Sequence, residues 1–413
     1  MISPIHTLLN RRLLAILVLG FASGLPFALT SSTLQAWFTE ANVSLKAIGT
    51  LSLLGIPYTF KFLWAPLMDY YGFSQLGKRK AWILLTQFAL VLALFVIAQM
   101  EPAKETTLIG ILALLITFFS ASQDISVNAY TTEVLHPEER GLGAAYTVFA
   151  YRVAVLISGG FALVMADYIG WKMTYYCMSA LMLLSMLPTY FAPSVNEPAV
   201  PAQNLYQTTL QALADLWQRD RIILLLLFIM FYKFGDALAL SLITNFLLHG
   251  LGFTLTEVGL AYKLVSFIAM IAGGFIGGLI LMRWNIYRAL LVFGIAQACS
   301  NLTFALLAYV GKHFLLMTVS VFIENFCSGL STAALFAFMM SLCNRRFTAS
   351  QFALLSAIAS LGRVFLGPFA AFMVENVGWI QFFIWSFVLC FPGILFLTLL
   401  KNEVLCNEHA TAE

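Results

Sequence analysis

The sequence predicts an all-α membrane protein of twelve transmembrane helices, arranged as two six-helix bundles of the same topology. Three observations lead to this fold class. The 413 residues are 61% hydrophobic and only 10% charged, whereas soluble domains carry about 25% charged residues. Twelve apolar runs approach or exceed the roughly 20 residues that a spanning helix needs. Two short motifs recur at an offset close to half the chain length.

Charged or turn-rich segments separate the apolar runs and so place the spans. The predicted spans cover residues 12–38, 47–69, 81–100, 108–131, 141–166, 172–193, 221–248, 256–282, 288–310, 313–342, 350–374 and 379–400. The first run is too long for the hydrophobic region of a cleavable signal peptide, so we expect it to be the first span. The polar stretch 194–220 divides the spans into two sets of six. It predicts an amino-terminal bundle over 1–193, a central linker over 194–220 and a carboxyl-terminal bundle over 221–413.

The Lys and Arg residues in the short loops predict the orientation, because cytoplasmic loops carry more of them. Thirteen lie at one set of helix ends: Arg11, Arg12, Lys78, Arg79, Lys80, Arg140, Arg219, Arg221, Arg283, Arg288, Arg345, Arg346 and Lys401. Four lie at the other: Lys46, Lys104, Lys172 and Lys312. Both chain ends and the central linker are therefore predicted to be cytoplasmic.

The two halves of the chain repeat each other. Residues 44–49 (SLKAIG) open the second predicted helix, and residues 254–259 (TLTEVG) open the eighth, 210 positions later. Residues 167–171 and 375–379 both end in Gly-Trp and join the last two helices of each half, 208 positions apart. Because each half has an even number of helices, the two copies have the same topology. A duplicated six-helix unit with a central linker resembles the major facilitator superfamily.

Two loops also resemble that superfamily. Asp69 ends the second helix and is followed by the basic cluster 77–80, although the usual glycine before the acid is missing. Residues 133–141, after the fourth helix, resemble the corresponding later loop. In the superfamily these loops clamp the cytoplasmic helix ends, which implies a gating role here. The predicted gating residues are Asp69, Lys78, Arg79, Lys80, Glu133 and Arg140; for the basic ones, ordinary cytoplasmic loop charge is the alternative.

Eight ionisable residues lie inside predicted spans. They are Lys61, Asp124, Arg152, Lys233, Asp236, Lys263, Glu324 and Arg363. Each costs at least about 2.5 kcal/mol at a helix centre on insertion scales, so each is a functional candidate with a partner. Five cations face three acids, and the surplus of positive charge favours an anionic, carboxylate-bearing substrate. Lys233 and Asp236 are three residues apart, so a simple structural pair between them is an alternative.

Buried carboxyl groups are the candidates for proton coupling. Burial in apolar surroundings disfavours the charged form of a carboxyl group, so such a group can load and release a proton. Asp124 lies among small residues on the fourth helix, one of the helices that line the cavity in the superfamily. We expect Asp124 to couple transport to protons, with Glu324 second and Asp236 as a further candidate. The alternative is that Asp124 only neutralises Lys61 or Arg152.

The remaining buried or lining groups are predicted to bind substrate. They are the cations Lys61, Arg152, Lys233, Lys263 and Arg363 and the neutral polar residues Gln35, Gln123, Asn128, Asn245 and Asn325. Each neutral residue could instead form a helix–helix hydrogen bond. We expect a proton gradient to drive the protein without a cofactor or metal. The chain has no basic patch suited to nucleic acid, and a monomer in the lipid bilayer is predicted.

Ordered segments along nearly the whole chain resemble the AmpG-type muropeptide permeases. They include residues 20–26 (GFASGLP), 60–69 (FKFLWAPLMD), 120–125 (SASQDI), 232–237 (YKFGDA), 322–325 (FIEN) and 351–357 (QFALLSA). The resemblance implies proton-driven import of N-acetylglucosaminyl-1,6-anhydro-N-acetylmuramyl peptides across the bacterial inner membrane. It also implies roles in peptidoglycan recycling, β-lactamase induction and antibiotic resistance. Some family members carry additional hydrophobic segments after the twelfth helix.

Two other classes of function remain open from the sequence. A transporter of the same fold could carry another anionic solute, such as acetyl-coenzyme A or a sugar or peptide. A membrane-embedded enzyme would need clustered catalytic groups. The three intramembrane acids fall on three different predicted helices, so we expect no enzyme.

Overall fold

A computed structural model describes residues 10–41, 43, 51–72, 77–195, 205–258 and 264–404, which contain helices and connecting turns but no strand. The all-α class is confirmed. The first half contains α1 (Arg11–Thr30), α2 (Ser32–Glu40), α3 (Ile56–Phe60), α4 (Ala65–Tyr70), α5 (Lys78–Ile97), α6 (Pro102–Val134), α7 (Arg140–Leu156) and α8 (Ala162–Phe191). Then follow α9 (Leu205–Trp217), α10 (Ile222–Phe231), α11 (Phe234–Ser241), α12 (Ile243–Asn245), α13 (Leu255–Val258), α14 (Ser266–Leu281), α15 (Ile286–Val310), α16 (Phe314–Leu342), α17 (Thr348–Val388) and α18 (Phe391–Leu399).

Within these described ranges, eight helical stretches are long and apolar enough to cross a membrane. They are Arg11–Phe38, Lys78–Ile97, Pro102–Val134, Pro137–Phe191, Ile222–Leu248, Ile286–Val310, Phe314–Leu342 and Phe372–Leu399. Two shorter apolar helices, Leu53–Leu63 and Ser266–Leu281, accompany them. Helix α8 is interrupted at Gly170 (φ 79°) and α17 at Gly378 (φ 74°). Positive φ suits glycine, which has no Cβ, and both glycines belong to the repeated Gly-Trp junctions.

The chain divides into two compact units. The first comprises Met1–Leu135, Tyr146–Leu213 and Cys343–Leu354, and the second comprises His136–Ala145, Ala214–Leu342 and Leu355–Glu413. Helices α7 and α17 therefore each contribute their first turns to one unit and their remaining turns to the other. The two exchanged segments begin at residues 136 and 343, an offset of 207 that follows the internal repeat.

Helix α1 occupies the interior of the first unit. Gly24 lies so close to α7 that a Cβ atom there would be 2.5 Å from the Tyr151 carbonyl oxygen. In α2, Trp37 stacks on Trp171 with ring centroids 5.8 Å apart. The glycine thus lets two backbones approach closely, a common device where small residues face a neighbouring helix in a membrane.

Helices α14 and α16 make a similar close approach within the second unit. A Cβ atom on Gly273 would collide with the carbonyl oxygen of Phe326, and one on Gly329 would collide with that of Met270. Gly274 is next to Gly273, yet a Cβ atom there would meet nothing within 4 Å. The approach of α14 and α16 therefore depends on which face of each helix carries glycine.

Gly273→Ala should destabilise the second unit, because α14 and α16 must separate to admit the methyl group. Overpacking of this kind costs about 1–3 kcal/mol. Thermal unfolding of the purified protein in detergent measures the effect, with Gly274→Ala as the matched control that should leave the Tm unchanged. Equal Tm values for the two variants would show that the close approach is not needed.

Candidate functional site

The first unit contains a charge pair between the second and fourth predicted helices. Lys61 begins a short 3₁₀ turn, Lys61–Leu63, and its Nζ lies 3.8 Å from Asp124 Oδ2. The Ser23 hydroxyl of α1 donates to Asp124 Oδ1. The Lys61 and Asp124 side chains are 10% and 15% exposed. One cation and one hydrogen-bond donor thus compensate the Asp124 carboxylate.

Two further hydrogen bonds join the same helices. The Tyr58 hydroxyl lies 2.7 Å from Ser120 Oγ, and the Trp64 indole N–H donates to Ser122 Oγ at 3.0 Å. Residues 58, 61 and 64 recur at intervals of three, so their side chains lie close together on this tightly wound segment. Two serines of α6, Ser120 and Ser122, provide the hydroxyl oxygens that accept the hydrogen bonds from Tyr58 and Trp64.

The second unit holds a larger polar cluster around Asp236. Lys233 Nζ lies 3.4 Å from Asp236 Oδ2 and donates to Ser328 Oγ at 2.9 Å and to Ser328 O at 3.2 Å. Gln297 Nε2 of α15 donates to Asp236 Oδ1 at 2.8 Å. The Ser331 hydroxyl donates to Gln297 Oε1 at 3.1 Å. Asp236 is therefore fixed by an ammonium group and an amide.

Glu324 lies beside this cluster and is fully buried. Neither of its carboxyl oxygens makes a hydrogen bond of normal geometry to the described residues. The side chains of Asp236, Lys233 and Gln297 nevertheless lie close enough to interact with its charge. Asp236 and Glu324 thus lie together, whereas the sequence separated the three acids onto different helices. The three acids do lie on different helices, but the sequence did not predict that α11 and α16 bring the side chains of Asp236 and Glu324 together.

Three of the predicted gating residues, Asp69, Arg79 and Glu133, form a third cluster, within the first unit. Arg79, which is 1% exposed, donates to Glu133 through Nε at 2.9 Å and to Asp69 through Nη2 at 2.7 Å. The Asp69 carboxylate also accepts the backbone N–H groups of Ala349 at 3.2 Å and Ser350 at 2.8 Å. Those N–H groups belong to the first turn of α17, where a helix favours an anion. Asp69 thus caps a helix that begins 279 residues later in the sequence.

The other gating candidates occupy separate positions. Lys78 Nζ donates to the backbone oxygen of Asp69 at 2.8 Å. Lys80 Nζ donates to the carbonyls of Tyr190 and Ala192 at the end of α8, at 3.2 and 3.0 Å. Arg140 begins α7, half-buried, in the second unit.

The predicted substrate residues fall into different environments. Gln123 is fully buried, and neither its amide oxygen nor its amide nitrogen has a hydrogen-bond partner in the described part of the chain. Asn128 and Asn325 are half-buried, and Asn325 donates to Val321 O of its own helix. Arg152, Gln35 and Asn245 are exposed. Lys263 lies outside the described residues, and Arg363 lies on α17 with a side chain outside the described part of the structure.

Several partners in these clusters were missed by sequence reasoning. Ser23, Gln297, Ser328 and Ser350 each bond to a predicted ionisable residue. Gln297 could have been found, because it is an amide in the middle of the apolar run 288–310. The serines carried no distinguishing signal, since hydroxyl groups in membrane helices usually bond to their own backbone.

Comparisons with known proteins agree with this architecture. Residues 13–353 match the sequence profile of the Major Facilitator Superfamily. The anhydromuropeptide permease of Escherichia coli K12 is 45% identical over 390 residues, which are 94% of this chain and 79% of the relative. The crystal structure of the E. coli fucose:proton symporter superposes with a TM-score of 0.70 at 15% identity, covering 94% of this chain and 98% of the symporter. The proton:xylose symporter gives a TM-score of 0.72 at 13% identity, covering 95% of each chain.

Arg79→Met should strongly destabilise the first unit, because it leaves the buried Asp69 and Glu133 carboxylates without their shared cation. Removing one partner of a buried ion pair typically costs about 3–5 kcal/mol. Thermal unfolding in detergent checks this, and adding Glu133→Gln to Arg79→Met should recover part of the loss.

Lys104→Met provides the matched control, since Lys104 forms an exposed pair with Glu101 and exposed pairs contribute little. If Arg79→Met lowered the Tm no more than Lys104→Met does, the buried cluster would not contribute to the stability of the fold.

Proposed function

The chain belongs to the major facilitator superfamily and, within it, to the anhydromuropeptide permeases, and from that premise we propose that it imports N-acetylglucosaminyl-1,6-anhydro-N-acetylmuramyl peptides by proton symport. The observation that carries the proposal is the similarity to the E. coli anhydromuropeptide permease along nearly the whole chain. The protein is a multi-pass protein of the bacterial inner membrane. Import from periplasm to cytoplasm would serve peptidoglycan recycling and, where an inducible β-lactamase is present, its induction.

The proposed topology has twelve crossings with both chain ends cytoplasmic. The interruptions at Gly170 and Gly378 support it, because Gly170 falls between the predicted spans 141–166 and 172–193 and Gly378 falls between 350–374 and 379–400. The thirteen basic residues at one set of helix ends support the orientation. We retain the bundles over 1–193 and 221–413 with the linker over 194–220, and a monomer that acts as a transporter and not as an enzyme.

The charges of the two units suggest different tasks. In the first unit, the Lys61 ammonium lies near the Asp124 carboxylate. Arg152 stays a candidate for a substrate carboxylate because its side chain is exposed. Arg–carboxylate pairs are among the strongest charge-assisted hydrogen bonds.

In the second unit, Lys233 is the one described intramembrane cation, and it lies beside two acids, Asp236 and Glu324. Two ionised carboxylates at one site repel each other, and that repulsion costs free energy in a low-dielectric interior. A proton on this pair removes that cost. Among the described residues, no hydrogen-bond partner lies at normal geometry to the Glu324 oxygens, while Asp236 has an ammonium and an amide, so Glu324 is the better carrier of the proton.

This assignment reverses the order expected from the sequence, which placed Asp124 first. Asp124 remains a candidate alongside Glu324, because Lys61 and Ser23 only partly offset the cost of burying its charge. Arg79, Asp69 and Glu133 would act as a gate, because release of the α17 amino terminus by Asp69 would free that helix end during alternating access.

Right-side-out membrane vesicles should accumulate a labelled anhydromuropeptide when an inward proton gradient is imposed, since symport couples uptake to proton entry. A protonophore should abolish the accumulation, and vesicles without the protein provide the control. Failure to accumulate the muropeptide, with accumulation of another anionic solute such as acetyl-coenzyme A, would replace the proposed substrate.

Glu324→Gln should abolish proton-driven accumulation but preserve counterflow, because a permanently neutral carboxamide mimics the protonated carboxyl group and cannot release a proton. Both reactions are measured with labelled muropeptide in the same vesicles. Glu257→Gln, at an acid in the short helix α13 that is bonded to Thr254 and Lys312, is the control that should leave both reactions intact. Loss of coupling in Asp124→Asn, with coupling retained in Glu324→Gln, would restore the original order.

A further inference from the structure

Phe27 is an exposed aromatic residue in the most buried helix of the first unit. From Ala22 to Thr30, every residue of α1 except Phe27 is buried, and Phe27 is 41% exposed. Exposed Ser31 and Gln35 follow at intervals of four. The Ser31 hydroxyl donates to Phe27 O, and Gln35 N donates to Ser31 O. Two of the three side chains are polar, which is the composition expected of a stripe that faces a water-filled cavity and not lipid.

Two tyrosines surround the Phe27 ring. The Tyr58 ring centroid lies 5.7 Å away with planes at 74°, an edge-on contact, and the Tyr151 centroid lies 6.2 Å away with planes at 49°. These residues come from α1, α3 and α7, all within the first unit. Ring contacts in this range of distances hold each aromatic in a defined orientation. Phe27 therefore presents part of its ring to solvent from a fixed position.

Polar groups neighbour the three rings of Phe27, Tyr58 and Tyr151, here called the aromatic platform. Ser23, which bonds to Asp124, is one helical turn before Phe27 and on the same face. Lys61 is three residues after Tyr58 and reaches the other oxygen of Asp124. The aromatic platform, a carboxylate and an ammonium group are thus linked through residues that contact one another or are one helical turn apart.

This combination fits one class of ligand. A pyranose ring presents a flat, weakly polar C–H face that packs on an aromatic ring, while its hydroxyl and amide groups bond at the edges. Small-molecule sites are typically lined by aromatic side chains with a few placed polar groups. An extended peptide would need backbone partners, and a lipid chain would need an apolar stripe in place of Ser31 and Gln35.

We propose that Phe27, held by Tyr58 and Tyr151, stacks on a sugar ring of the substrate, and that Asp124 and Lys61 bind the hydroxyl and N-acetyl groups of that sugar. The inference rests on the proposed function, because it assigns the disaccharide part of the muropeptide to the first unit. It adds three aromatic residues to the site. Phe27 and Tyr58 make the disaccharide, and not the peptide, the part of the substrate that this region recognises.

Direct binding to the purified protein tests the assignment with two partial substrates. One is N-acetylglucosaminyl-1,6-anhydro-N-acetylmuramic acid without peptide, and the other is the stem tripeptide without sugars. Phe27→Ala should raise the Kd of the disaccharide by about tenfold, the value of one good aromatic contact. The Kd of the tripeptide should stay the same, and Phe27→Trp should restore disaccharide binding. Isothermal titration calorimetry measures each constant.

Phe88→Ala is the matched control, because Phe88 is a half-exposed aromatic on α5 and should not affect either ligand. A disaccharide Kd unchanged by Phe27→Ala would overturn the subsite, as would a variant that weakens the tripeptide alone. Absence of disaccharide binding by the wild-type protein would also overturn it. Disaccharide binding without proton-driven uptake would instead contradict the symport while leaving the subsite in place.

Discussion

Compensation of charge inside an apolar interior is the constraint on which this structure depends. Arg79 shows it most clearly, because its guanidinium is almost fully buried and every nitrogen has an acceptor: Glu133, Asp69 or the backbone oxygen of Met68. An isolated charge in such a place would cost far more than folding could recover. Asp69 has a second partner that is not a charged side chain, since the α17 N–H groups supply it. The sequence positions of Asp69 and Ser350 are thus linked by one electrostatic requirement.

The same constraint separates the roles of the two units. In the first unit, Lys61 and Asp124 pair one cation with one acid, and we propose that this pair binds polar ligands. In the second unit, the described cation Lys233 lies beside two acids, Asp236 and Glu324, and we propose that the coupled proton binds there. A site that binds substrate and a site that binds a proton therefore need not share any residue.

The sequence was sufficient for the class of fold and for the repeat. The two Gly-Trp motifs predicted equivalent helix junctions in the two halves, and Gly170 and Gly378 both have positive φ at those junctions. Four of the ionisable residues inside the predicted spans, Lys61, Asp124, Lys233 and Asp236, do have charged partners in the structure. The contact between Asp236 and Glu324 could not be predicted, because it depends on the rotation and depth of α11 and α16. Helices that are apolar on all sides carry no periodic signal that fixes their rotation.

The position of Lys233 connects the proton to the shape of the protein. Lys233 lies at the break between α10 and α11, with backbone angles outside the helical range (φ −108°, ψ 11°). Its ammonium group is shared by Asp236 and Ser328. If Glu324 carries the coupled proton, as we propose, its deprotonation adds a negative charge that attracts Lys233, the one described cation in the cluster, and Lys233 then divides its charge between two acids. Any movement of Lys233 toward Glu324 pulls on the break between the two helices. Protonation at Glu324 would therefore change the angle of a helix through the residue that compensates it, without a separate relay.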